Sequence, residues 1–181
     1  MKKVVLLTVA VMCVSGLAFG QNVGSIDIFS DVGLTDCNIV APPAGVFPVW
    51  IAQTNVGGGV TAVQFKLNTP ATITSVGEIP SFQLTLGNTT TGVSISYSAC
   101  KTGTFLLLQI NYLAQGPTAA CEWITVAPEP SDPGIQFIDC NDNTIFLPSA
   151  GEARVNPDIS CTCNVPVQET TWGGIKALYQ N

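Results

Sequence analysis

Apolar and polar side chains alternate with a period of two along most of the chain. Val63, Phe65 and Leu67 alternate with Gln64, Lys66 and Asn68, and Phe82, Leu84 and Leu86 alternate with Gln83 and Thr85. Ile95, Tyr97 and Ala99 share one side while Ser94, Ser96 and Ser98 share the other; Leu106, Leu108, Ile110 and Tyr112 form a further stripe. Successive side chains of a strand point to opposite faces, so each run predicts a strand with one face buried. Shorter runs at 25–30, 46–53, 71–76, 122–127, 134–139, 144–147 and 152–155 bring the candidates to eleven, for an expected nine to ten strands. Proline, glycine and asparagine clusters separate them, as in Pro42-Pro43-Ala44-Gly45, Asn55-Val56-Gly57-Gly58-Gly59 and Gly87-Asn88-Thr89-Thr90-Thr91-Gly92. No helical period appears before residue 168. The pattern predicts an all-β fold, an antiparallel β-sandwich or barrel, rather than an α/β sheet. The three glycines at 57–59 read as a flexible turn: no helix follows to hold an anion, and the lysine of a phosphate loop is missing.

The two ends differ from this body. Lys2 and Lys3 precede an apolar run over 4–14, and Ala18-Phe19-Gly20 offers small residues where a signal peptidase cuts. Residues 1–20 are therefore expected to be an export signal, removed before Gln21. The apolar run is shorter than the roughly 20 residues that cross a bilayer, and no other stretch is long enough, so no membrane span is expected in the mature chain. Cys13 lacks the small-residue box of a lipoprotein. At the other end, residues 164–168 read as an extended linker and 169–180 as a short amphipathic helix, capped by Thr170 or Thr171. Its apolar side carries Trp172, Ile175, Leu178 and Tyr179. Gly173 and Gly174 each weaken such a helix by about 1 kcal/mol relative to alanine, so the tail is expected to dock on its own domain or to serve as a handle for a sorting or assembly partner. Residues 21–163 are left as the sandwich domain.

Composition narrows the function. Only 10% of residues are charged, no histidine is present, and the formal net charge of −6 becomes −8 once Lys2 and Lys3 are lost with the leader. An acidic chain has no electrostatic footprint for nucleic acid or an anionic membrane, and without histidine the commonest general base and metal ligand are gone. Six cysteines remain beyond the leader: Cys37, Cys100, Cys121, Cys140, Cys161 and Cys163. An even number in an exported chain predicts disulfides, and Cys161-Thr162-Cys163 lacks the spacing of a zinc site. If 123–127 and 135–139 form a hairpin, Cys121 and Cys140 would bridge across it, leaving Cys161 or Cys163 to tie the domain's end to Cys37 or Cys100.

Two stretches resemble known groups. The run Val60-Thr61-Ala62-Val63-Gln64-Phe65-Lys66-Leu67, the later Gln109-Ile110-Asn111-Tyr112 and the late Gly151-Glu152-Ala153-Arg154-Val155 are similar in layout to cohesin-type sandwich modules, over residues 25–157. That resemblance implies a jelly roll, akin to carbohydrate-binding modules, with a non-catalytic role in adhesion or scaffolding; the duplicated calcium loop of a dockerin is missing. The ending, from Asn156-Pro157-Asp158 through Cys161-Thr162-Cys163 to Thr171-Trp172-Gly173-Gly174-Ile175-Lys176-Ala177-Leu178-Tyr179, resembles that of a group of secreted bacterial proteins. It implies export and a recurring tail, and transfers no catalytic residue.

Candidate chemistry is sparse. Asp139, Asn141 and Asn143 have the spacing of a calcium loop, but Thr144 and Ala150 stand where that loop needs glycine and a bidentate glutamate; a tight turn explains the same residues. No cofactor is expected. Paired carboxylates for glycan chemistry would come from Asp27, Asp31, Asp36, Glu78, Glu122 or Glu152, while serine nucleophiles have no histidine to activate them. For binding, the candidates are Trp123, Trp50 and, in the tail, Trp172 and Tyr179. Trp123 is the best exposed of them, although packing beside a disulfide is the commoner fate of such a residue. Trp50 follows an apolar run that reads as a buried strand, and Tyr97 and Tyr112 lie in apolar stripes and should be buried. The expected function is a secreted, non-enzymatic binding or structural module that recognises a protein or glycan. The alternatives are a subunit of an extracellular assembly, joined through strand edges or the tail, and a glycan-active enzyme.

Overall fold

The computed structural model describes residues 22–163. The expected signal peptide, the linker and helix of the tail, Trp172 and Tyr179 lie outside the described residues. Ten strands and no helix are found among them: β1 Ser25–Phe29, β2 Asn38–Ile39, β3 Gly45–Asn68, β4 Ile73–Pro80, β5 Leu84–Asn88, β6 Gly92–Ala114, β7 Glu122–Ala127, β8 Ile135–Asp139, β9 Thr144–Leu147 and β10 Glu152–Val155.

Two long strands organise everything else. The first half of β3 pairs with β1 on one side and with the second half of β6 on the other; β4 lies beyond β6. The second half of β3 pairs with β8 and with the first half of β6, and β9 and β5 extend that sheet on either side. Residues 66–68 of β3 then pair with β7, which carries β10 and finally β2. The expected sandwich is therefore present, with β3 and β6 passing from one part of the sheet to the next. One pair departs from the antiparallel rule: β2 runs parallel to β10.

The Asn55–Gly59 stretch is not a turn. It is the irregular middle of β3, where the register against β6 slips repeatedly between Ile51 and Ala62. Extra residues of this kind sharpen local twist and bend a strand without ending it. Asn55 and Ser98 adopt left-handed backbone angles here, as do Gly59 and Gly103. The Asn22 carbonyl accepts from both Gly57 N and Gly58 N, at 3.0 and 2.9 Å, which fixes the stretch in place.

One core fills the interior, built from Ile26, Ile28, Ile51, Val63, Phe65, Ile95, Leu107, Ile110, Ile124, Phe137 and Val155 among others. Each large side chain removed from water contributes about 1.5–3 kcal/mol. As expected, Tyr97 and Tyr112 are inside. The Tyr97 hydroxyl donates to Gln53 Oε1 at 2.6 Å, and Gln53 Nε2 donates to the Val23 carbonyl at 2.7 Å, so this buried polar chain is satisfied. Phe82 and Phe105 pack on the Tyr97 ring at 4.7 and 5.2 Å. Burial pushes both phenols above their ordinary range.

Three disulfides close the domain: Cys37–Cys163, Cys100–Cys140 and Cys121–Cys161. The pairing of Cys121 with Cys140 is therefore corrected. It rested on a β7–β8 hairpin, whereas β7 pairs with β10 and β3, and β8 pairs with β3 and β9. The tie between Cys163 and Cys37 is one of those expected for the domain's end.

Asp27 is a carboxyl buried in β1. Its oxygens accept from the Thr54 and Ser25 hydroxyls, and Gly151 crosses directly above it. An alanine Cβ at Gly151 would stand 2.2 Å from Asp27 Oδ1, so only glycine lets its N–H reach the Ile26 carbonyl, at 2.7 Å. Burial raises the Asp27 pKa above 3.8, outweighing the two hydroxyl bonds. Its contribution to stability is therefore whole below the unfolded value, near 3.8, and is lost as pH rises through the folded value. Asp27→Asn is expected to gain stability relative to the wild type between acid and neutral pH, by a few degrees in midpoint at neutrality. Paired thermal melts across that range check it; a constant difference between the two proteins refutes the account.

Candidate functional site

The β9–β8–β3–β6–β5 sheet turns one face to solvent, and its registers place ten side chains there in two rows. The first row runs Phe146, Gln136, Gln64, Ser94, Leu86, and the second Thr144, Ile138, Ala62, Ser96, Leu84. With strands about 4.8 Å apart, each row spans roughly 19 Å. The margins are apolar and exposed: Leu84 58%, Leu86 65% and Phe146 44%. Between them lie Ile138 and Ala62 together with the amides and hydroxyls of Gln136, Gln64, Ser94 and Ser96, and Gln64 Nε2 donates to Glu129 Oε2 at 2.9 Å. Neither row contains a charged side chain, although the chain as a whole is acidic.

A shallow open groove of about 140 Å³ follows these rows, lined by Leu84, Leu86, Ser94, Ser96, Gln136 and Ile138. Pockets that enclose small ligands hold roughly 300–1,000 Å³, so this surface suits another macromolecule better than a metabolite. Two sequence expectations change here. The stripe of Leu84 and Leu86, which alternation would bury, faces outward on an edge strand. The Ser94–Ser96 ladder, which reads as plain solvated surface, is the middle of an apolar-edged groove.

Other candidate residues lie elsewhere. Trp123 is exposed on β7 and the Arg154 guanidinium stacks on its ring, in a cross-strand row with Asn38. Trp50 is half-buried on the other sheet, paired with Gln109. The structure does not bring these two tryptophans together with the groove residues.

The acidic candidates mostly organise backbone. Asp139 is buried and accepts from Asn141 N at 2.7 Å, Asn143 N at 2.9 Å and Asn143 Nδ2 at 2.8 Å. These bonds, that from the Asn143 side chain foremost, hold its carboxyl below the ordinary range. Asp139, Asn141 and Asn143 thus form a self-bonded turn between β8 and β9. Asp31 likewise accepts from Thr35 N and Asp36 N, Asp36 from Asn38, and Glu78 from Thr89 N and Oγ1. The close-set trio Cys121, Asp158 and Cys161 has metal-ligand residue types, but its two sulfurs are bonded to each other.

Comparison with solved structures defines the class of fold. The chain is similar to a cohesin module of a Clostridium perfringens family 33 glycoside hydrolase, with TM-score 0.52, 12% identity and coverage of 75% of this chain and 98% of that one. A non-cellulosomal cohesin from the archaeon Archaeoglobus fulgidus matches with TM-score 0.51 and 16% identity over 73% of this chain and 91% of that one. The cohesin of a type I cohesin–dockerin complex from Clostridium thermocellum matches with TM-score 0.53 and 12% identity, over 75% and 100%. The fold is thus the cohesin-type jelly roll. No family model matches the sequence, and no curated protein does.

Proposed function

We propose that the protein is an exported, non-catalytic recognition module that binds a second protein through the outer face of the β9–β8–β3–β6–β5 sheet. The observation that carries this reading is the face itself: exposed Leu84 and Leu86 join Ile138 and Ala62 across an uncharged groove, among the amides and hydroxyls of Gln64, Gln136, Ser94 and Ser96, with exposed Phe146 at the far edge. Contiguous exposed apolar side chains with a polar surround are characteristic of interaction surfaces. The partner presents an apolar ridge flanked by hydrogen-bonding groups, and needs no charge to match. Among similar folds, one cohesin was solved in complex with a dockerin, which supports a protein partner.

Export is supported by the leader pattern of residues 1–20 and by three disulfides, which persist in oxidising compartments. A non-enzymatic role is supported by the lack of histidine and by the engagement of Asp27, Asp31, Asp36 and Glu78 in local hydrogen bonds.

Leu86→Asp tests the reading, because the side chain is 65% exposed and the domain should fold unchanged. Immobilised wild type should retain a protein from the producing cell's exported fraction. Leu86→Asp should bind that protein roughly 30-fold or more weakly, because an unpaired carboxylate buried in the contact costs about 2 kcal/mol or more, whereas Trp123→Ala should keep it. Equal retention by the wild type and Leu86→Asp, or no retained protein at all, refutes the proposal.

A further inference from the structure

A second surface is built where the described chain ends. Cys163 is bonded to Cys37, and Asn38 grips its backbone from both sides: Cys163 N donates to Asn38 Oδ1 at 2.8 Å, and Asn38 Nδ2 donates to the Cys163 carbonyl at 3.2 Å. Asn38 is also part of a hollow of about 320 Å³ beside the free edge of β2, lined by Asp36, Ile39, Val40, Phe47 and Pro48. Ile39 and Phe47 form its floor, and Val40 stands 78% exposed at its rim. The chain therefore leaves the domain at the mouth of an apolar-floored hollow, held there by a disulfide and two hydrogen bonds.

We infer that residues 164–181 fold back into this hollow and that Trp172 is their anchor. Reach permits it: Trp172 follows Cys163 by nine residues, up to about 30 Å of extended chain, and the hollow starts at the residue that holds Cys163. Chemistry favours it, since Trp172, Ile175, Leu178 and Tyr179 are large apolar side chains that are costly to leave in water. Charge agrees as well. Lys176 is the one cation of the tail, and Asp36 is exposed at the rim. The occupant is thus this chain's own tail, tethered so closely that its effective concentration at the hollow is high.

Trypsin reads the contact in the full, disulfide-bonded chain. Beyond Lys2 and Lys3 the basic residues are Lys66, Lys101, Arg154 and Lys176, and the first three lie on strands. Cleavage after Lys176, followed by intact mass, therefore reports the tail alone. A docked tail is cut slowly, and both Val40→Asn at the rim and Trp172→Asp in the tail should speed that cut about tenfold or more while lowering the domain's melting midpoint by only a few degrees, the share that docking contributes. Amide exchange over residues 38–48 should quicken in Trp172→Asp, a substitution outside the folded strands. Wild-type cleavage and exchange rates in both variants overturn the inference, as does protection that grows with protein concentration, which would place a neighbour's tail in the hollow.

Discussion

Gly59→Ala is expected to be among the most damaging single substitutions in the domain, lowering stability by roughly 3 kcal/mol or more. Two independent costs meet at this position. Its backbone is left-handed, with φ +83°, where a side chain costs about 1–2 kcal/mol. An alanine Cβ would also stand 2.6 Å from Cys100 Sγ and 2.7 Å from Cys140 Sγ. The reason is topological: Val60 pairs with Lys101 of β6 on one side and with Asp139 of β8 on the other, so the Cys100–Cys140 bridge passes across β3 at Gly59. The measurement is a comparison of melting midpoints, with free thiols counted in each preparation. In a background carrying Cys100→Ala and Cys140→Ala the cost of Gly59→Ala should shrink to the backbone part alone. An undiminished cost in that background would show that the bridge is not what excludes a side chain.

Removing the Cys37–Cys163 bridge, by Cys37→Ser with Cys163→Ser, is expected to cost still more. In the chain-entropy account a cross-link stabilises by restricting the unfolded chain, more so for larger loops. The sequence separation here is 126, against 40 for each of the other two bridges. That account gives about 5 kcal/mol for this bridge and about 1 kcal/mol less for either of the others. For a domain of this size the loss corresponds to a midpoint lower by roughly 10–20 °C. Denaturant titrations of the three double-serine variants provide the ranking. If the Cys37–Cys163 variant proves the least affected, the native state rather than the unfolded chain sets the worth of these bridges.

Much of the fold was legible in the sequence because strand alternation is local. The runs at 122–127 and 144–147 coincide with β7 and β9, whereas those at 46–53 and 63–68 belong to the one strand β3 and those at 94–99 and 106–112 to β6. What failed to show is non-local. Asn55-Val56-Gly57-Gly58-Gly59 has the residues of a turn, but also those of a bulged strand, and pairing with β6, β8 and Asn22 decides between them. β2 has two residues and no period to read. The disulfide partners depended on which strands are neighbours, and the assumed β7–β8 hairpin placed two strands side by side that belong to different parts of the sheet. The candidate face was hidden for a related reason. Leu84 and Leu86 alternate as a buried stripe would, yet β5 lies at an edge and turns them outward. Only the cross-strand registers set them beside Ser94 and Ser96 and, three strands further, Phe146. Core packing beside a disulfide is the commoner fate of a residue like Trp123, and only the β7–β10 pairing sets it against Arg154, thirty-one residues away in sequence.

The Cys37–Cys163 bond has a mechanical consequence for a chain pulled from both sides of the domain. A pull applied at residue 22 and at residue 163 can strip β1 away and straighten residues 22–37, a run of roughly 50 Å when extended. There the tension crosses the sulfur bridge directly to Cys163. Strands β2 to β10, including the whole β9–β8–β3–β6–β5 sheet, lie inside the covalent loop and feel none of it. Such a domain would yield a short, fixed length and then stop, with its outer sheet still folded.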